Sequence, residues 1–238
     1  MWIARADCSL IGRASITLLR GVPELATIGL YVRPAARRGG LGEALAREAV
    51  SYAQRQGIRK LEAAAWTPAG HQFCERHSGR QVAGGLWQTL RFERVNWQMI
   101  DAWCAISPPG TSLRTIEQLP DELAPEFVAL YASVWDDQPF AERAAPAPTL
   151  ARRREMELRY QQLGFSWLTL LAQESSGALV GLTEVIYDPS QPETVRQVLT
   201  GVRPSHRGRG IAKWLKAAML RAIRARFTRA RAIVTGNS

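Results

Sequence analysis

Sulfur and imidazole are scarce in this chain, with three cysteines and three histidines in 238 residues. Cys8, Cys74 and Cys104 fall without metal-ligand spacing, so no metal is expected. An odd, sparse count suits a reducing cytoplasm better than a disulfide framework. Neither Cys74 nor Cys104 has a supporting His/Asn arrangement, which argues against a cysteine nucleophile. Long apolar runs are also missing: none approaches the roughly 18 residues of a membrane span. Arg5 and Asp7 interrupt the stretch where a signal peptide would need its apolar core. Acidic residues are outnumbered 21 to 31, for a net charge of +10. Basicity of that size can mean nucleic acid, yet the arginines are spread and form no aromatic–basic platform or reading motif. A phosphorylated small ligand explains the clustered arginines more economically.

What is present is one module written twice. Residues 200–216, TGVRPSHRGRGIAKWLK, read as the end of a β-branched strand, a basic glycine-rich turn and the start of a helix. Residues 30–46, LYVRPAARRGGLGEALA, repeat that order, and Arg33/Arg203, Pro34/Pro204, Arg37/Arg207 and Gly40/Gly210 each lie 170 residues apart. A repeat at fixed spacing means two copies of one supersecondary unit. Glycine lets backbone N–H groups converge, and a helix N-terminus adds partial positive charge, so each turn suits a phosphate. Arg207 and Arg209 add full charges in the second copy.

The pattern along the chain predicts strands at 2–6, 10–19, 26–32 and 60–66, and one or two more within 81–92. Helical spacing covers about 41–56, and Thr67-Pro68 opens a short helix carrying His71, Phe73 and Cys74. A connecting helix is expected over 96–105, then a linker at Ser107-Pro108-Pro109-Gly110. Beyond it come a strand at 113–119, helices at 121–134 and 150–163, and a loop at 139–148. A hairpin at 165–187, the second glycine turn, a helix at 211–227 and a strand at 230–235 complete the order. The expected fold is α/β, with two tandem modules, each a mixed and mostly antiparallel sheet flanked by helices. The boundary is placed between residues 106 and 107. Offsetting by 170 residues, the first module lacks the head of the second, and the second lacks the counterpart of 71–92. The exposed edges this leaves would be covered by domain packing, a strand swap or a homodimer.

The two turns match [RQ]-x-x-G-x-[GA]: Arg37-Arg38-Gly39-Gly40-Leu41-Gly42 and Arg207-Gly208-Arg209-Gly210-Ile211-Ala212. That pattern resembles the acyl-coenzyme A pyrophosphate loop of the GNAT N-acetyltransferases, in a tandem arrangement similar to mycothiol synthase-like proteins. The resemblance covers nearly the whole chain. It implies that the backbone from Arg207 through Ala212 holds the pyrophosphate of acetyl-CoA, with Val202 pairing the pantetheine arm and Asn237 beside it. Leu30, Val32 and the residues from Arg37 to Gly42 correspond in the first module. It implies direct acetyl transfer to a primary amine of a small molecule or peptide, which needs a general base. Glu184 is the candidate base and Gln197 its neighbour across the expected cleft. A solvated strand carboxylate is the plainer reading of Glu184. His206 reads as a solvent-facing loop residue, and His71 and His77 as surface or packing residues. The tryptophans read as core or acceptor-site walls. The pattern departs from the family where Phe73 stands in place of a tyrosine acid. The alternative is therefore a degenerate, non-catalytic coenzyme A-binding or interaction protein, with a nucleic-acid module as a third reading.

Overall fold

A computed structural model describes residues 1–18, 23–81, 86–135 and 149–237. The loop expected at 139–148 lies outside these described residues. Contacts divide the described chain into two compact units, residues 1–81 and residues 86–237.

In the first unit, β1 (Trp2–Ala6), β2 (Ser9–Leu18) and β3 (Leu25–Val32) are antiparallel neighbours, and β4 (Lys60–Glu62) joins β3 in parallel. α1 (Leu41–Arg55) lays Leu45 and Ala49 on Ala14, while Ala53 meets Ala26 and Ile58. These apolar positions recur every four residues, so one stripe of the helix faces the sheet. α2 (Pro68–Arg76) starts where Thr67 caps it, its hydroxyl accepting from Gly70 N–H at 3.1 Å.

The second unit holds six strands in the order β5-β10-β9-β8-β7-β6. They are β5 (Leu86–Arg91), β6 (Thr111–Ile116), β7 (Ser166–Glu174), β8 (Leu179–Tyr187), β9 (Thr194–Val202) and β10 (Ala232–Asn237). β7 and β8 are buried along nearly their whole length because helices cover both faces. α6 (Ile211–Arg226) fills one face with Ile211, Trp214, Leu215, Met219 and Ile223 against Leu168, Leu170, Val185 and Val195. α3 (Trp97–Ala105) packs Ile100 on Ala217 and Leu220 of α6. α4 (Ala124–Trp135) and α5 (Leu150–Gln162) lie on the other face, with Phe127 and Leu130 of α4 on Leu171 and Leu182.

Two differences from the sequence reading have physical causes. The strand within 81–92 does not close the first sheet; β5 pairs antiparallel with β10 and covers its edge. With α3 also packed on α6, the compact units divide between residues 81 and 86, upstream of the proline-rich linker. Alternation in sequence identifies a strand but not its partner, because pairing is chosen by the edge on offer. The strand expected over 60–66 stops at Glu62, after three pairs with β3.

α4 approaches the sheet closely at Gly201, where an added Cβ would stand 2.0 Å from Val134 Cγ1. Gly201→Ala is therefore expected to force α4 and β9 apart and lower stability by about 1–3 kcal/mol, as overpacked cores do. Urea unfolding of the full chain checks this, and an unchanged midpoint would contradict it.

Candidate functional site

Both glycine turns are built alike. Each strand gives way to a short 3-10 turn, Pro34–Ala36 or Pro204–His206, and then to a helix whose N-cap is a left-handed glycine. Gly40 has φ +77° and Gly210 φ +79°, and a Cβ at either would point into open space. A side chain there would fill the cradle and strain the backbone. Neither N-cap supplies a side-chain acceptor, so first-turn N–H groups of α1 and α6 remain available to an anion. The arginine fold-back also repeats: Arg37 Nε donates to Val32 O at 3.0 Å, and Arg207 Nε to Val202 O at 3.2 Å.

The loops differ in charge and strain. Gly208 takes φ +76°, whereas Arg38, 170 residues earlier, adopts φ +69° with a full side chain. The first turn of α6 carries no acidic residue, but that of α1 carries Glu43, paired with His77 at 2.9 Å. A negative charge at that helix start opposes a phosphate, so the second loop is the better anion site.

Beside the second loop the sheet opens. β9 and β10 are parallel neighbours only where Thr194 to Arg196 face Ala232 to Val234, and then run on without pairing each other. Arg203 N–H points to Val180 O on β8, so Val202, one residue back, turns its own N–H to the open side. A cleft of about 420 Å³ lies there, lined by Val134, Leu199, Thr200, Gly201, Val202, His206, Arg207, Gly208 and the helix start from Gly210 to Lys213. Val202, Arg207, Gly208, Gly210, Ile211 and Ala212 thus line one cleft. Arg209 is exposed outside the lining. Asn237 ends β10 opposite Leu86, and its side chain lies outside the described residues. In the first unit Leu30 and Val32 pack on the small core, and Leu41 and Gly42 begin α1 behind the exposed Arg37, Arg38 and Gly39.

Glu184 and Gln197 are not solvated strand residues. Glu184 is 0 % exposed and forms an ion pair with Arg153, while its Oε1 accepts from Thr169 Oγ1 at 2.9 Å. Its Oε2 has no hydrogen-bond partner among the described residues. Arg153, 5 % exposed, also donates to Glu157 Oε1 at 2.7 Å and stacks 3.9 Å from the Trp167 ring centroid. Burial alone would lower the Arg153 pKa, but the Glu184 and Glu157 carboxylates hold it above the ordinary guanidinium value. Gln197 spends its amide on a β-bulge, where Nε2 donates to Glu184 O at 2.8 Å and Leu199 O at 3.0 Å. Burial, and then the Glu184 charge, push the Tyr131 hydroxyl far above the usual phenol range, so it keeps its proton.

Sequence reasoning missed Arg153, Tyr131 and Val134, which are ordinary members of helical runs until α4 and α5 dock. It also misplaced His206, which is half-buried in the cleft wall and lies 3.0 Å from Glu174. No group of His, Cys, Asp and Glu among the described residues could hold a metal, and no described helix is long and apolar enough to cross a membrane.

Residues 1–79 match the family model described as "Acetyltransferase (GNAT) family". A mycothiol acetyltransferase of Sanguibacter keddieii is 28% identical over 228 residues, covering 93% of this chain and 69% of that protein. One from Salinispora arenicola is 32% identical over 206 residues, covering 84% of this chain and 60% of that protein. A tandem GNAT protein from the clavulanic acid biosynthesis pathway superposes with a TM-score of 0.83 at 26% identity, covering 99% of this chain and 73% of that one.

Proposed function

We propose that this chain, which has the tandem GNAT fold, transfers an acetyl group from acetyl-CoA to a primary amine of a small molecule or peptide in the cytoplasm, with the second unit as the working site. The family match and the acetyltransferase relatives support acetyl transfer in general. The observation that carries the assignment to the second unit is the cleft that joins the glycine turn to the splayed edge of β9.

The chain's own groups divide the work. Backbone N–H groups from Gly208 through Ala212 take the pyrophosphate, helped by the α6 dipole and the charges of Arg207 and Lys213. Val202 N–H faces the open side of the strand and pairs the pantetheine arm or polarises the thioester carbonyl. Acetyl-CoA supplies the acyl group when bound. The first loop is proposed as a second, weaker coenzyme A site.

Glu184 enters as base with its role narrowed, since Oε1 is committed and only Oε2 is left to take a proton. Glu184→Gln should lower turnover by about 100-fold or more while cofactor affinity holds, the size expected for a lost general base. Turnover that survives alongside a lower melting temperature would make Glu184 an anchor and remove it as base. The commitment of Glu184 and Gln197 to internal contacts also favours the second reading, a non-catalytic coenzyme A-binding protein. Calorimetric titration with acetyl-CoA, followed by a thiol-release assay over an amine panel, separates the two. Binding without thiol release across the panel would leave the second reading standing, and no binding would remove both.

A further inference from the structure

The turn before the second glycine loop carries a side-chain cluster that the first loop does not. His206 Nε2 lies 3.0 Å from Glu174 Oε1, and its Nδ1 lies 2.8 Å from Ser205 Oγ. The His206 side chain is 18% exposed, and the residue lines the cleft. The residues 170 positions earlier are Ala4, Ala35 and Ala36, so this pair has no counterpart at the equivalent positions, and the histidine–carboxylate pair of the first loop, His77 with Glu43, stands instead at the start of α1.

We infer that His206, positioned by Glu174, makes capture of the phosphorylated cofactor at the second loop proton-linked. This rests on the reading of the loop as a coenzyme A site. Histidine is the side chain that ordinarily changes charge between about pH 5 and 8. Around the ring, Glu174 at the end of β7 supplies the negative charge. Arg207 of the loop and Lys213 of α6 supply positive charge along the same cleft. Arg203 is held by Leu179 O at 2.7 Å and by Glu126 of α4 at 3.4 Å. With the imidazole neutral, the Glu174 carboxylate, one hydrogen bond behind the cleft-lining His206, is not compensated by it. With the imidazole protonated, the pair is neutral and the repulsion is cancelled. Phosphate capture therefore favours the protonated pair, and affinity falls as pH rises.

The test is calorimetric titration of the full chain with coenzyme A at several pH values between about 5.5 and 8.5. Ionic strength is held fixed, and two buffers of different ionisation enthalpy count the protons. Gly40→Glu silences the first loop. Affinity at the second site should weaken by about three- to tenfold from the acid to the alkaline end, with net proton uptake on binding. His206→Ala and His206→Gln should each flatten this slope, and their difference from the parent removes the ligand's own phosphate ionisation. Glu174→Gln should tighten binding at the alkaline end. A slope that survives both His206 variants, or a parent slope of zero with no proton uptake, overturns the inference while leaving the cofactor loop intact. Failure to bind coenzyme A at every pH would instead overturn the loop assignment beneath it.

Discussion

Arg153→Ala is expected to cost the second unit about 3–5 kcal/mol, the range for removing one partner of a buried ion pair. The guanidinium is shared between Glu184 and Glu157, all three are buried, and Glu157 Oε1 also accepts from Leu119 N–H at 3.0 Å. Deleting the cation leaves the buried Glu184 carboxylate without its counter-ion and Glu157 with only its 3.3 Å pair to Arg154, and also removes the planar group packed on Trp167 and Phe127. The destabilisation should be local to begin with, because α5 is tied to the sheet through this residue. Hydrogen exchange resolved over α5, β7 and β8 would report it, alongside urea unfolding. A control carrying apolar residues at 153, 157 and 184 together should recover much of the loss, since an apolar replacement of a buried ion cluster is often neutral. A loss under about 1 kcal/mol for Arg153→Ala would show that the cluster contributes little.

Gly210→Glu is expected to weaken coenzyme A binding at the second site by about 100-fold or more. Two effects combine. The left-handed backbone at φ +79° costs a side-chain-bearing residue roughly 1–2 kcal/mol. The carboxylate would also stand in open space at the helix start, where the phosphates are proposed to lie. Gly210→Ala carries the strain without the charge, and should lose less than about tenfold. Calorimetric titration of both variants separates the effects. Glutamate binding within threefold of the parent would sink the phosphate assignment for this loop.

Much of this architecture is legible in the residues, for reasons that can be named. The glycine turns are found because a left-handed N-cap leaves its mark in the sequence, and because Gly40 and Gly210 recur at one spacing. Strands β7 and β8 and helix α6 declare themselves by long apolar runs and fourfold spacing. What is not legible depends on tertiary docking. Nothing local says that Arg153, within the run LARRREMELRYQQ, is buried while its neighbour Arg152 is exposed. Glu184 reads as a solvated strand carboxylate until Arg153 of α5 pairs with it. Leu86–Arg91 alternates like any strand, and only the free edge of β10 decides which sheet receives it.

That last pairing has a consequence for the newborn chain. Leu86 faces Asn237, so two adjacent strands are separated by about 150 residues of sequence. At roughly 5–20 residues per second of synthesis, β5 leaves the ribosome about 8–30 seconds before β10 exists. The interval must be survived with β5 lacking this partner, and the pairing joins distant segments, which makes it intrinsically slow. Pairing of β5 therefore waits until β10 has been made, after β6 to β9.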